Sequence, residues 1–182
     1  MTQDVLWMTE DYFKDNSILN ENVDWRVVQP IMILVQDQYI HPILGTNLFD
    51  EIANEIYAST TTAANETLLN LYIRKTIIWY VLSELAPALK YRYQNKGLMI
   101  KNSENSSAAS LEEVQFTKNE YKEKAEWYAE RITKFLIENS ATYPSYFNGT
   151  ITGDDIVPNS TNFTSSLFLD DDCDTCKDNL YK

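Results

Sequence analysis

The sequence contains one histidine, His41, which directly precedes Pro42 and is the first side chain to consider for catalysis. A Ser-His-Asp or Cys-His catalytic arrangement would have to use this imidazole as its base. A proline disfavours helical geometry in the residue before it, so His41 is predicted to lie at the end of a helix. There it would have a structural role as a cap, and the sequence predicts no catalytic residue.

Near the C-terminus, cysteines and carboxylates share a short stretch that could bind a metal ion. Cys173 and Cys176 form a lone C-x-x-C pair, without the second pair of a zinc site or the βαβ setting of a redox motif. The run from Asp170 to Asp172 could gather a divalent cation together with Asp174, but consecutive carboxylates on a flexible segment bind weakly and are usually solvated. We therefore predict neither a metal nor a cofactor.

Three glutamates, Glu51, Glu55 and Glu84, lie on different predicted helices, and no motif assigns them acid and base roles. The sequence also lacks GxxxxGK[ST], GxGxxG, HExxH and calcium-loop spacings, which removes the common nucleotide, dinucleotide and metal classes. We therefore predict that the protein is not an enzyme. An enzyme with an unrecognised site would need a pocket that joins His41 to carboxylates.

The balance of charge narrows the classes of partner. The 182 residues carry 15 Lys and Arg against 27 Asp and Glu, a formal net charge of −12, which disfavours a basic nucleic-acid binder and an anionic membrane surface. No apolar run approaches the length needed to span a bilayer, and the first residues (MTQDVLWMTEDYF) lack the pattern of a secretory signal. With only two cysteines, the sequence predicts a soluble, unexported chain in a reducing compartment.

The element that must position His41 is a predicted αα-hairpin at residues 24–56, where apolar residues recur at three- and four-residue steps. These residues are Val27, Val28, Ile31, Leu34, Val35 and Tyr39 in the first helix, and Leu48, Phe49, Ile52 and Ile56 in the second. The first helix is predicted to end at His41 and Pro42. Gly45 then supplies a turn and Thr46 a capping oxygen, so the second helix begins near residue 47.

Pro30 leaves two interpretations of the first helix open. Either the helix begins near Val23 and continues through a kink, or residues 24–29 form a separate turn and Pro30 occupies the first turn of a shorter helix. We favour the continuous helix.

A third predicted helix, beginning at Asn65, is apolar around most of its circumference and should be the most enclosed element. Its apolar residues are Leu68, Leu69, Leu71, Tyr72, Ile73, Ile77, Ile78, Trp79, Val81, Leu82 and Leu85. Trp79 and Tyr80 could instead form a ligand platform, although aromatic residues at helical spacing are usually core. The helix is predicted to continue through residues 88–93 and to stop at Gly97.

A fourth long helix is predicted from Ser110, which forms a capping box with Glu113. Apolar and aromatic residues then repeat every seven positions. The repeat consists of Val114, Tyr121, Tyr128 and Phe135, flanked by Leu111, Ala125, Ile132 and Leu136. This seam should pack antiparallel against the third helix.

Two stretches outside the helices are predicted to bind partners. Residues 98–107 make a polar excursion between two core helices, which would be retained for interaction where a tight turn could have served. The alternative is a floppy connector without a partner. The excursion begins with a brief extended piece at Leu98, Met99 and Ile100.

From residue 148 the chain becomes a polar, acidic arm of a composition that is normally disordered when free. Apolar islands in the arm, which it cannot bury against itself and which should dock on another subunit, are Phe163, Leu167, Phe168 and Leu169.

Together these patterns predict an all-α fold. It is a helical bundle with an αα-hairpin, a long central helix, a long helix in the C-terminal half and an extended C-terminal arm. The predicted units are a helical domain at residues 1–147 and the acidic arm at residues 148–182.

Residues 36–46 (QDQYIHPILGT), followed by residues 48–52 (LFDEI), resemble a helical-hairpin signature of head–tail connector proteins of tailed bacteriophages. Ring proteins of crAss-like phages of gut Bacteroidetes are the most similar. The resemblance continues through the apolar third helix, through residues 95–97 with their polar loop, and through the helix at 121–136. It covers roughly residues 1–147 and leaves the arm unexplained.

The resemblance implies a virion structural protein made in the host cytoplasm and located at the neck. In that family a homo-oligomeric ring of about twelve copies lies beneath the portal. Its partners would be the portal protein and the next tail or neck ring protein, while DNA passes through without sequence-specific binding and no membrane is involved. The family has no catalytic residues to carry over. An acidic ring suits this role because negative walls do not hold the DNA phosphates. The alternative is a soluble intracellular helical adaptor that binds protein partners.

Overall fold

The computed structural model describes residues 5–20, 22–94, 97–100, 110–147 and 155–158. In these ranges the chain is built from seven α-helices, two π-helical segments and one short pair of strands. The helices are α1 (Glu10–Asn16), α2 (Trp25–Val35), α3 (His41–Ala58), α4 (Ala63–Leu68), α5 (Arg74–Lys90), α6 (Leu111–Glu138) and α7 (Pro144–Phe147). The π-helical segments, Gln36–Ile40 and Leu69–Ile73, join α2 to α3 and α4 to α5. The predicted all-α class is confirmed, since helices supply most of the described core.

Pro30 lies inside α2, so the continuous first helix is confirmed. Asp24 caps it, accepting a hydrogen bond from the backbone N–H of Arg26 at 3.0 Å. The predicted helix end at His41 and Pro42 is wrong. The π-helical segment lets the N–H of His41 reach the carbonyl of Gln36, five residues back, and His41 keeps helical angles (φ −55°, ψ −47°). Because proline has no N–H to place, it is accommodated at the start of α3.

The helical path breaks at Gly45 instead, where φ is 73° and ψ is 158°. The predicted turn at Gly45 is therefore confirmed, with one turn of α3 before it and the longer part of α3 after it. Leu48, Phe49 and Ile52 face the core from the second part, as the apolar spacing predicted.

The third helix begins two residues earlier than predicted and ends earlier too. Thr62, not Asn65, provides the cap, accepting from the N–H of Asn65 at 3.4 Å. The predicted helical continuation through residues 88–93 is confirmed as far as Lys90, where α5 ends, and is wrong beyond it. Tyr91–Gln94 forms strand β1, which pairs antiparallel with strand β2, Gly97–Ile100. Aromatic residues at 91 and 93 favour strand geometry once a partner strand is present, and the extended piece predicted at residues 98–100 supplies one.

The capping box that begins α6 is confirmed. Ser110 Oγ accepts from the N–H of Glu113 at 3.1 Å, and Glu113 Oε2 accepts from the N–H of Ser110 at 2.6 Å. Its role is to satisfy backbone N–H groups that have no partner within the helix.

Helix α6 packs antiparallel against α5, as predicted. Tyr72, which precedes α5, stacks on Phe135, whereas Trp79 contacts Tyr121, so residue numbers rise in opposite directions along the pair. The buried face of α6 is not centred on the predicted seven-residue repeat. The fully buried residues are the flanking ones, Ala125, Ile132 and Leu136, and Leu111 is 63% exposed.

Helix α5 is the central element, and the prediction that it is the most enclosed is confirmed. Its buried residues are Thr76, Ile77, Ile78, Tyr80, Val81, Leu82, Ser83 and Leu85. The N-terminal segment closes the core beside the Gln36–Ile40 segment, where the N–H of Trp7 donates to Gln36 Oε1 at 3.1 Å and Gln36 Nε2 donates to the Val5 carbonyl at 2.9 Å. Among the described helices, none has the length and apolar character needed to cross a membrane.

Candidate functional site

The break in α3 brings together residues that are far apart in the sequence. The backbone N–H of Thr46 donates to the carbonyl of Ile156 at 2.9 Å, and the N–H of Ile156 donates to Thr46 Oγ1 at 2.8 Å. This reciprocal pair fixes the extended segment 155–158 on the corner of the hairpin. We refer to Gly45, Thr46, Ile156 and Pro158 as the corner clasp.

Gly45 is the residue that allows the segment to approach. A Cβ atom at this position would lie 2.4 Å from Pro158 Cδ and 2.9 Å from Pro158 Cγ. The φ of +73° is also one that L side chains rarely adopt. Both the backbone angle and the space beside it therefore require glycine. A crevice of about 140 Å³ remains next to the clasp.

His41 supports the clasp from the side. Its Nε2 lies 2.9 Å from Thr46 Oγ1, and its ring stacks on Phe49 with centroids 4.5 Å apart. Phe49 in turn contacts Trp7, with centroids 4.8 Å apart. The prediction that His41 caps a helix end is wrong, because the helix continues past it. Its role is still structural, since the ring positions the hydroxyl that holds Ile156.

The crevice beside the clasp does not join His41 to a carboxylate. Asp155 is the carboxylate among the described residues that line the crevice, and His41 is not one of the lining residues. Among the residues described, no group of three or more His, Cys, Asp or Glu side chains is arranged to hold a metal ion.

Glu51 and Glu55 have structural partners at the start of α4. Glu55 Oε2 accepts from Asn65 Nδ2 at 2.9 Å, and Glu51 Oε1 accepts from the same amide group at 3.3 Å. Glu55 also accepts from the N–H of Thr62 at 3.0 Å, and Glu51 contacts the hydroxyl of Ser145. These carboxylates tie α3 to α4 and α7.

Glu84 joins α5 to the π-helical segment and to α6. Its Oε1 accepts from the hydroxyl of Tyr39 at 2.9 Å, and its Oε2 pairs with Lys118 Nζ at 3.0 Å. Burial raises the pKa of Tyr39 to about 12, with further contributions from the hydrogen bond to Glu84 and its negative charge. Tyr39 stacks on Tyr80 at 4.2 Å, and burial raises the pKa of Tyr80 to about 12 as well.

An aromatic surface lies between α5 and α6. A groove of about 450 Å³ is lined by Trp79, Glu120, Glu123, Lys124, Trp127 and Tyr128, which we refer to as the aromatic groove. Tyr80 is 6% exposed, so its assignment to the core is confirmed. Trp79 is half-buried at the edge of the groove. The heptad pattern marked Tyr128, but the exposed Trp127 beside it has no signal in the sequence beyond its residue type.

The predicted partner-binding residues are only partly covered. Leu98, Met99 and Ile100 lie in β2, and their side chains are outside what the structure describes. The arm residues Phe163, Leu167, Phe168 and Leu169 lie outside the described residues, as do Cys173, Cys176 and the carboxylates at 170–172. Their roles stay predictions.

The clasp itself was missed by sequence reasoning, which placed residues 155–158 in the free arm. The available signal was a short apolar group, Ile156, Val157 and Pro158, within a polar stretch. Nothing local connects that group to Gly45, because the contact spans 110 residues of chain between Thr46 and Ile156.

Residues 40–156 match the profile described as Family of unknown function (DUF6712). The chain belongs to this family. The DUF6712 match begins at Ile40, beside His41, and ends at Ile156, so it contains both sides of the Thr46–Ile156 contact. No curated protein and no solved structure matches the chain.

Proposed function

We propose that this chain is a virion structural protein that forms a connector ring of about twelve copies between the portal and the tail of a tailed bacteriophage. The observation that carries the proposal is the resemblance of residues 36–46 and 48–52 to the hairpin signature of head–tail connector proteins. The DUF6712 match overlaps this hairpin from residue 40 onward.

The corner clasp supports the proposal because it gives an arm a fixed root. The chain continues beyond Pro158 as residues 159–182, and Ile156, two residues before Pro158, is held by hydrogen bonds to the backbone N–H and the hydroxyl of Thr46. An arm that starts from a fixed point loses less conformational entropy on docking than one attached through a free linker. In this proposal the apolar islands at residues 163 and 167–169 dock on a neighbouring subunit or the next neck ring.

The excursion at residues 98–107 is proposed as the second contact. It starts in β2, which runs back along β1 so that Ile100 pairs with Tyr91, directly after the end of α5. A hairpin at the end of a central helix can present side chains to the portal without disturbing the core.

Charge and side-chain use support a role without catalysis. A net charge of −12 suits a channel through which DNA passes without binding. The hydroxyl, amide and ammonium groups that contact His41, Glu51, Glu55 and Glu84 are ones that hold the fold. We therefore propose that the chain is not an enzyme.

The second candidate is a helical adaptor that binds protein partners and is not part of a virion. The aromatic groove favours the adaptor, because Trp127 in this groove is 56% exposed. An exposed tryptophan in a groove is a frequent centre of protein recognition. A connector ring would use such a surface too, so location and copy number separate the two candidates.

The test is the copy number of this chain in purified particles. Quantitative mass spectrometry with isotope-labelled peptides from this chain and from the portal protein should give about one copy per portal subunit. Absence from particles, with the chain recovered only from the lysed host, would contradict the connector proposal and favour the adaptor.

A further inference from the structure

The aromatic groove contains an exposed aromatic side chain, Trp127. Arg131 lies over Trp127, with its guanidinium carbon 5.0 Å from the ring centroid. Trp127 is nevertheless 56% exposed. Tyr128 also contacts this ring edge to face, with centroids 4.9 Å apart, so the exposed part of the indole is what remains for another group.

The neighbouring rings already attract cations of the chain itself. Lys124 Nζ lies 5.1 Å from the ring centroid of Trp79 and 5.4 Å from that of Tyr121. Arg131 also lies over Tyr128, at 5.8 Å. These contacts fall within the range at which a cation is held by the negative face of an aromatic ring. The surface is therefore suited to positive rather than negative groups.

One carboxylate that lines the groove takes no part in the ion pairs along α6. Glu120 pairs with Lys124, and Glu126 and Glu130 pair with other lysines of the helix, at 3.5 to 3.7 Å. Glu123, which is exposed and lines the groove, takes part in none of these pairs. The groove thus offers a carboxylate beside an exposed indole.

We propose that the aromatic groove binds an arginine side chain presented by a basic segment of a partner protein. The planar guanidinium packs on the exposed part of the Trp127 ring and forms an ion pair with Glu123. Charge selects this occupant. Within the groove Lys124 and Arg131 offset Glu120 and Glu123, so the selection comes from the charge of the whole chain. Its net charge of −12 repels a second copy and the acidic arm, which carries Asp170, Asp171, Asp172 and Asp174, and attracts a basic segment. The inference holds for a connector and for an adaptor, because it concerns the partner's side chain and not the assembly.

The four indole N–H signals in a ¹H–¹⁵N NMR spectrum of the full chain provide the measurement. They are assigned with single Trp→Phe variants. The probe is the synthetic peptide Ac-Gly-Arg-Gly-Arg-Gly-NH2, compared with the same peptide carrying citrulline, which keeps the shape of arginine but has no charge. We expect the arginine peptide to shift the signals of Trp127 and Trp79. The signals of Trp7, which is 1% exposed, and of Trp25 should stay in place.

Variants identify the two groups that bind the guanidinium. Trp127→Ala and Glu123→Gln should each weaken binding of the arginine peptide about fivefold, which corresponds to the loss of one cation–π contact or one partly exposed ion pair. Both side chains are exposed, so the variants should keep the helical circular dichroism spectrum of the parent. Phe116→Ala is the matched control, because Phe116 is 68% exposed on the same helix and does not line the groove.

Four results would overturn the proposal. The first is an unchanged Trp127 signal at saturating arginine peptide, and the second is equal binding of the citrulline peptide, which would indicate an apolar site. The third is a change in the Trp127 signal on deletion of residues 159–182 without peptide, which would make the arm the occupant. The fourth is a dimer in sedimentation that Trp127→Ala dissociates, which would make a second copy the occupant.

Discussion

Gly45 combines a left-handed backbone with close contact to Pro158, and it makes the first prediction at the scale of single residues. Gly45→Ala should lower the free energy of unfolding by about 1–3 kcal/mol, because the new Cβ meets Pro158 and the φ of +73° is unfavourable for alanine. The measurement is urea unfolding, together with hydrogen exchange at the Ile156 amide, which should lose protection.

Ser59 gives a control of opposite sign. It has a φ of 54° after the end of α3, so Ser59→Gly should be neutral or stabilising by about 0.5 kcal/mol. Equal destabilisation by the two substitutions, or full protection of Ile156 in the Gly45 variant, would show that the clasp does not depend on glycine.

The tyrosine pair at Glu84 predicts a loss of stability in alkali. The pKa of Tyr39 and of Tyr80 is raised to about 12 in the folded chain, whereas tyrosine in the unfolded chain ionises near pH ~10. The unfolded chain loses these protons first, so the contribution is fully present below about pH 10 and is lost as the pH rises through 12. Unfolding midpoints should fall over this range, and Tyr39→Phe should make the fall shallower.

Tyr57→Phe is the matched control for the alkaline effect, since Tyr57 is 66% exposed. It should follow the parent curve. A pH dependence of Tyr39→Phe identical to that of the parent would mean that the Tyr39 hydroxyl is not kept protonated by the fold.

Residue-level prediction from the sequence succeeded where the interaction is local. The capping box of Ser110 and Glu113 spans three residues and has a known pattern, so it was found. The contact of Thr46 with Ile156 has no such pattern, because its hydrogen bonds depend on how the whole chain folds back. The sequence assigned Thr46 to a helix cap for the same reason: only its immediate neighbours were visible.

At the scale of elements, the enclosure of α5 makes the next prediction. Leu82 is 4% exposed, so Leu82→Asp places a carboxylate in the core and should cost roughly 4 kcal/mol or more. Circular dichroism and thermal unfolding should show a chain that no longer folds cooperatively.

Leu71→Asp provides the comparison, because Leu71 precedes α5 on the same helical run and is 50% exposed. It should change stability by about 0.5 kcal/mol or less. A Leu82 variant with the helicity and melting temperature of the parent would contradict the central position of α5.

The elements themselves were largely predictable, because amphipathic spacing extends over many residues and errors average out. Their ends were not. Pro42 was expected to stop a helix, but the π-helical segment Gln36–Ile40 absorbs it, and that geometry has no simple sequence pattern. The end of α5 at Lys90 depended on a strand partner at residues 97–100, so helical periodicity alone extended it too far.

At the scale of the whole molecule, the clasp separates two parts of the predicted arm. Deletion of residues 159–182 leaves Ile156 and Pro158 in place, so the free energy of unfolding should stay unchanged. The connector proposal adds that this deletion should weaken attachment to the next neck protein. Deletion of residues 155–182 also removes the hydrogen bonds to Thr46 and should lower stability by about 1–3 kcal/mol. Urea unfolding measures the stability of both shortened chains, and cosedimentation with the purified neck protein measures attachment.

The two deletions lead to distinct failures. Equal stability of both shortened chains would mean that the clasp adds nothing to the fold. Assembly of the chain lacking residues 159–182 as readily as the full chain would remove the docking role of the arm while leaving the clasp intact.

The connector proposal is tested most directly by a cryo-EM map of the neck of a virion whose genome encodes this chain. The account predicts a ring of about twelve copies directly beneath the portal, in which each copy shows α5 antiparallel to α6 and residues 155–158 on the Gly45 corner. A map in which every density between portal and tail is accounted for by other chains would contradict it.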